Sequence, residues 1–139
     1  MKRFLIILLQ LTWGLPQTLL GLILLLLRFR GCPRSRFRES VCVHWQGRGG
    51  MSLGLFLFVP EDPSAALLVH EYGHTVQSLI FGPLYLLAVG LPSLLWANLP
   101  VFRRRRKERQ QSYYSVWPER GANRLGERFT GKKAPGSDQ

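Results

Sequence analysis

His70 and His74 flank a glutamate in the run His70-Glu71-Tyr72-Gly73-His74. Four residues of α-helix turn the chain by about 400°, so both imidazoles share one face, one turn apart. Two imidazoles so placed supply two of the three protein ligands of a catalytic zinc. Glu71 lies beside that face, where an H-E-x-x-H pattern places its general base for hydrolysis. The competing reading is two buried histidines bonded to carbonyls, next to an ordinary ion-pairing glutamate. Leu67, Leu68 and Val69 lead straight into His70. Two histidines and a carboxylate are costly on so apolar a helix unless something binds them, which favours the metal.

A zinc site of this kind needs a third protein ligand. A histidine six residues after the second is absent, because position 80 is Ile80. An aspartate in a later apolar helix is absent too, since the chain holds only Asp62 and Asp138. A glutamate on a downstream helix remains, and Glu119 fits. It opens Glu119-Arg120-Gly121-Ala122-Asn123, with Pro118 marking the first turn of a helix. Ala122 is small enough to let this helix approach the first. Asn123, one turn after Glu119, can hydrogen-bond a ligand imidazole. Taken alone, Glu119 would read as a solvated acid favoured by the helix dipole.

H-E-x-x-H followed by E-x-x-A-N resembles the gluzincin metallopeptidases, and among them the membrane-bound HtpX-like and CAAX-prenyl-protease-like group. The match covers the two motifs, about a dozen residues. It implies zinc (Zn2+) held by His70, His74 and Glu119, with Glu71 catalytic and Asn123 behind a ligand. The family's second-motif aspartate is Asn123 here, a neutral and weaker orienter of imidazole, and the connection between the motifs is short. His70 to Ser78 with Gly82-Pro83-Leu84-Tyr85, and also Leu15-Pro16-Gln17 and Tyr113-Tyr114, is similar to a set of small bacterial membrane proteins that bring no known substrate.

The elements that must position these residues are read from apolar blocks. Phe4–Leu27 and Val76–Phe102 have membrane-helix composition, and the formal net charge of +11 comes from arginine clusters beside them, Arg28–Arg38 and Arg103–Arg109. Such charge is one signature of nucleic-acid binding, but its place next to apolar blocks fits anionic lipid and the positive-inside pattern better, and no nucleic acid is expected. With only two cysteines in no metal-binding spacing, reduced thiols are expected.

The expected fold is a mainly α membrane protein with a small β-hairpin. Residues 1–28 form a transmembrane anchor helix that Pro16 bends. Residues 29–60 form a basic connector and a hairpin of Val41–Trp45 with Met51–Val59. Residues 61–128 form a minimal zincin-like domain, and residues 129–139 a disordered tail. Within 61–128, Asp62 is the expected helix N-cap. The helix over 64–81 carries the motif and is broken at Gly82-Pro83, and a shorter apolar helix returns over 84–97. A basic loop at Arg103–Lys107 and a helix from Pro118 to Leu125, capped by Gly126, follow. His44 reads as a hydrogen-bonded strand residue. The Gly-Pro hairpin returns Glu119 to the side of the membrane that holds the histidines, and the positive-inside rule places that side in the cytoplasm.

The expected function is hydrolysis of peptide bonds by an integral-membrane zinc metallopeptidase, acting on a peptide or membrane-protein substrate. The strand over 51–59 would bind an extended chain along its edge. Tyr113 and Tyr114 are candidates for stabilising the transition state or for an interfacial aromatic belt. The alternatives are a non-catalytic zinc-binding membrane adaptor and an anionic-lipid-binding protein.

Overall fold

The first apolar block folds as two helices. α1 (Lys2–Thr12) and α2 (Leu15–Leu27) meet at 84°, in a computed structural model that describes residues 2–136. Pro16 occupies the first turn of α2, where a missing N–H costs nothing. Two glutamines account for the bend. Gln10 and Gln17 are wholly buried, and both reach Ser78. Gln17 Nε2 donates to Ser78 Oγ (2.7 Å) and to the Gly82 carbonyl (3.0 Å), Ser78 Oγ donates to Gln10 Oε1 (2.9 Å), and Gln10 Nε2 donates to the Thr75 carbonyl (3.0 Å). With the helices bent, both amides meet at the one Ser78 hydroxyl. The expected N-terminal transmembrane helix is therefore corrected. Among the described residues no single helix is long and apolar enough to cross a membrane.

The expected hairpin is also corrected, to a four-stranded mixed sheet. β1 (Arg34–Phe37), β2 (Ser40–Trp45), β3 (Met51–Leu53) and β4 (Phe56–Pro60) lie in the order β1-β2-β4-β3. Gly54, at φ +62°, turns the chain between β3 and β4, so the segment read as one strand folds back on itself. β4 then runs parallel to β2, with Val43 opposite Phe58, and antiparallel to β3, with Ser52 opposite Leu57. β1, part of the expected basic connector, pairs antiparallel with β2. Side-chain alternation splits the core in two. Val43, Leu53 and Phe58 pack with Leu25 of α2 on one face, while Cys42, Leu57 and Val59 pack with Phe37 and Leu68 on the other.

α3 (Ala65–Phe81) covers that second face. Its N-cap is Ser64, whose hydroxyl accepts from Leu67 N (3.1 Å), in place of the expected Asp62. Gly82 ends it at φ +54°, with the Trp13 ring packed where a β-carbon would stand. A short 3-10 turn (Gly82–Leu84) follows, and just beyond the Gly82-Pro83 break, between Leu84 and Leu86, the chain bends by 120° and continues through a wide turn (Leu86–Gly90) into α4 (Leu91–Asn98). The basic stretch read as a loop is helix α5 (Pro100–Glu108), with Arg104 paired to Glu108 (2.7 Å). α6 (Trp117–Thr130) runs past Leu125 and is capped by Gly131 at φ +72°.

Gly126 has a different task from the cap expected of it. A β-carbon there would lie 2.1 Å from the Val69 carbonyl oxygen, and one at Gly73 would lie 1.8 Å from that of Ala122. α3 and α6 thus touch backbone to backbone. Among the described residues the architecture is α/β, six α-helices with a mixed sheet, in place of the expected mainly α membrane fold. Gly73→Ala should lower stability by more than about 2 kcal/mol, because backbone, not a flexible side chain, blocks the methyl. Gly31→Ala, where a β-carbon meets nothing within 4 Å, is the matched control. Equal thermal unfolding midpoints for the two variants would contradict the close approach.

Candidate metal centre

The α3–α6 contact brings the two motifs together. His70 and His74 lie one turn apart near the middle of α3, and Glu119 lies in the first turn of α6, all buried. Glu119 Oε2 stands 2.9 Å from His70 Nε2 and 3.4 Å from His74 Nε2. The two rings are nearly perpendicular, with centroids 4.8 Å apart. One ligand atom from each residue falls within 4.8 Å of the others, so the group could hold a metal ion.

The protonation of both imidazoles follows from their neighbours. Asn123 Nδ2 donates to the Pro135 carbonyl (2.8 Å), which can only accept, so Asn123 Oδ1 faces His70 Nδ1 (2.6 Å). His70 Nδ1 must then carry a proton. The same logic recurs on the other ligand. Gln77 Nε2 donates to the Pro118 carbonyl (2.9 Å), and Gln77 Oε1 faces His74 Nδ1 (2.7 Å). In neutral imidazoles both Nε2 atoms are therefore lone-pair acceptors, and they point at a carboxylate oxygen that is also an acceptor. Three acceptors converging in a buried site are satisfied by a cation between them, a metal ion or a proton on one Nε2. Glu119 Oε1 also lacks a protein partner. The donor set of two imidazoles and one carboxylate fits a transition metal.

Asn123 was expected to support an imidazole, and it does contact one. Gln77 was not anticipated, although it lies one turn beyond His74 on α3. A glutamine on a helix carries no signal until the carbonyl that fixes its orientation is known.

Glu71 is buried beside the triad, and its Oε2 has no protein partner. Its Oε1 rests against Gly50, where a β-carbon would stand 2.4 Å away. Burial pushes its carboxyl up to about 7, the neighbouring His70 pulls it down, and the Glu119 charge pushes it up again. Burial works on Glu119 in the same upward sense, but when His70 and His74 are protonated on Nε2 their hydrogen bonds outweigh it and hold that carboxyl well below the usual range. Tyr114 stacks edge-on against His70 at 5.1 Å between centroids. Burial, then the charges of Glu119 and Glu71, push the Tyr113 hydroxyl up, so it stays a proton donor. Both tyrosines line one cavity of about 780 Å³ with His70, Glu71, His74 and Glu119. His44 stands apart, bonded to Ser35 Oγ (2.7 Å) and the Pro60 carbonyl (3.2 Å), as a strand histidine should be.

In the metal-free protein the raised Glu71 carboxyl has a stability consequence. Its folded value, about 7, exceeds the roughly 4.5 of a free glutamate, so folding favours the protonated form. Stability should fall as pH rises from about 4.5 through 7 and level off above. Glu71→Gln should remove that slope and stabilise the metal-free protein at pH 8 by on the order of 2–3 kcal/mol. Urea unfolding of both proteins at pH 5 and pH 8 measures this, and parallel pH dependences would refute it.

Comparison with known proteins finds no matching family model, no matching curated protein and no matching solved structure.

Proposed function

We propose that this protein is a zinc-dependent peptidase working at a lipid surface. The convergence of His70 Nε2, His74 Nε2 and Glu119 Oε2 on one buried point is the observation that carries the reading. Two neutral imidazoles and a carboxylate favour zinc among common divalent ions. Zinc held there would supply Lewis acidity towards a carbonyl and lower the pKa of water. Glu71, buried beside the triad with one oxygen unpartnered, accepts a proton from the attacking water and returns it to the leaving amine. Tyr113 remains a donor for the developing oxyanion.

The cavity supports a substrate with apolar side chains. Leu24, Phe58, Leu86, Leu91 and Leu94 form much of its wall. β3 lies at the sheet edge and lines the same space. Its role in binding an extended chain shrinks to three residues, and Ser52 O already accepts the Tyr85 hydroxyl (3.0 Å).

The outer surface supports a lipid partner. Phe4, Leu8, Leu27, Leu84, Leu87 and Val101 are exposed, more apolar area than a water-facing surface normally carries. Exposed arginines of α5 and Arg3 lie beside these side chains in the sequence, a pattern that fits an anionic leaflet and, by the positive-inside rule, the cytoplasmic face.

Purified protein should carry one equivalent of zinc, lost in His70→Ala and in Glu119→Ala. Glu71→Gln should retain zinc and lose at least about 100-fold in cleavage of an apolar peptide. Undiminished cleavage would refute Glu71 as the base, and zinc binding with no cleavage by the unaltered protein would leave a binding protein and not an enzyme. Vesicle flotation provides a separate check. Co-flotation should require phosphatidylserine and fall when Arg103, Arg104 and Arg105 are changed together to glutamine; equal binding to neutral vesicles would sink the electrostatic part.

A further inference from the structure

The chain beyond α6 returns to the metal centre. Gly131 turns it back. The Ala134 amide then donates to Glu127 Oε1 (3.0 Å), and Ala134 itself is buried. Gly136 comes to the Tyr114 ring. Between them, the Pro135 carbonyl accepts from Asn123 Nδ2 (2.8 Å), on the far side of the carboxamide whose Oδ1 faces His70 (2.6 Å). A segment expected to be disordered thus touches a residue that touches a ligand.

We propose that residues 132–136 act as a clasp that sets the metal affinity of the centre, with Pro135 and Glu127 as positioning residues. A carboxamide can sit in two orientations related by a half-turn. One offers oxygen to His70 Nδ1, keeps the proton on Nδ1 and leaves Nε2 free to ligate. The other offers NH2 to Nδ1, moves the proton to Nε2 and removes the ligand. The Pro135 carbonyl accepts and cannot donate, so its presence selects the first orientation.

The second ligand shows why this matters. Gln77 is held in the equivalent way by the Pro118 carbonyl, but Pro118 belongs to the first turn of α6 and moves only with that helix. Pro135 lies beyond the helix end, so the orientation of His70 depends on a segment that can lift away while the helices stay packed. Engagement of that segment is then a means of tuning metal retention.

The inference rests on the metal-centre reading, and the test separates the two. Zinc affinity is measured by competition with a chromophoric chelator. The proteins compared are the full chain, a chain stopped after Gly136 and a chain stopped after Gly131, each with and without Asn123→Asp. Stopping after Gly136 should change nothing. Stopping after Gly131 should weaken zinc binding by about 3- to 10-fold, below the loss typical of deleting an imidazole's partner outright. Glu127→Ala should weaken it in the same direction. In the Asn123→Asp background either carboxylate oxygen accepts from His70, so stopping after Gly131 should cost nothing. It should even help, by removing a carbonyl that faces a carboxylate. An equal loss in both backgrounds would mean that the segment acts through general stability, and the clasp would be wrong. No loss in either would also overturn it. Absence of Glu119-dependent zinc binding in the full chain would remove the metal centre and the clasp together.

Discussion

Helices α3 and α6 touch through their backbones because Gly73 and Gly126 have no side chains, and the distances in the candidate metal centre descend from that contact. Gly73 faces the Ala122 carbonyl and Val69 faces Gly126, so the helices run antiparallel in a register without freedom to slide. The same register sets His70 against Asn123, His74 against Glu119 and Gln77 against Pro118. Side chains at such an interface would hold the axes 8–10 Å apart. The carboxylate of Glu119 is short, and with the helices further apart it could not approach both Nε2 atoms.

Within that contact, the polar groups are paired in a way that leaves one deficit. Two carboxamides, each tied to a prolyl carbonyl, commit the Nδ1 atoms of both histidines. What remains on the other side of each ring is a lone pair, aimed at a carboxylate. Buried polar groups that are fully satisfied stabilise a fold, while a converging set of acceptors does so only when a proton or a metal ion joins it. If a metal binds here, folding and metal binding are coupled: the helix contact makes the site, and the site opposes the helix contact until charge is neutralised. Glu71, buried with one oxygen unpartnered, adds to the same unfavourable balance.

The N-terminal helices invert the usual distribution of polarity. Gln10 and Gln17 are inside, while most leucines of α1 and α2 face outwards. The glutamines bind α3 at Thr75 and Ser78, close behind His74, and so brace the ligand helix from the side opposite α6. Their grip bends the apolar block at Gly14, and it leaves an apolar exterior whose borders are basic. One set of residues thereby shapes both the candidate site and the exposed apolar surface.

Much of the chemistry was legible in the chain, because it is local. The spacing of His70 and His74 sets a shared helix face wherever a helix forms, and Pro118 opens the helix that carries Glu119 and Asn123. Gly82-Pro83 predicts the bend that follows α3. Every side chain from Leu55 to Val59 is apolar, as suits a strand buried on both faces. The parallel pairing of β2 with β4 was hidden, since Gly54 looks like any strand glycine until the turn it makes is seen. Gly73 and Gly126 were hidden as packing residues, and Gln10, Gln17 and Gln77 as anchors, for one reason: each acts on a partner distant in sequence. The sequence by itself determined which groups could bind a metal, since helix periodicity requires only neighbours. Tertiary structure decided how close they come, which nitrogen holds the proton and where the glutamines hide, since each depends on a backbone carbonyl delivered from elsewhere in the chain.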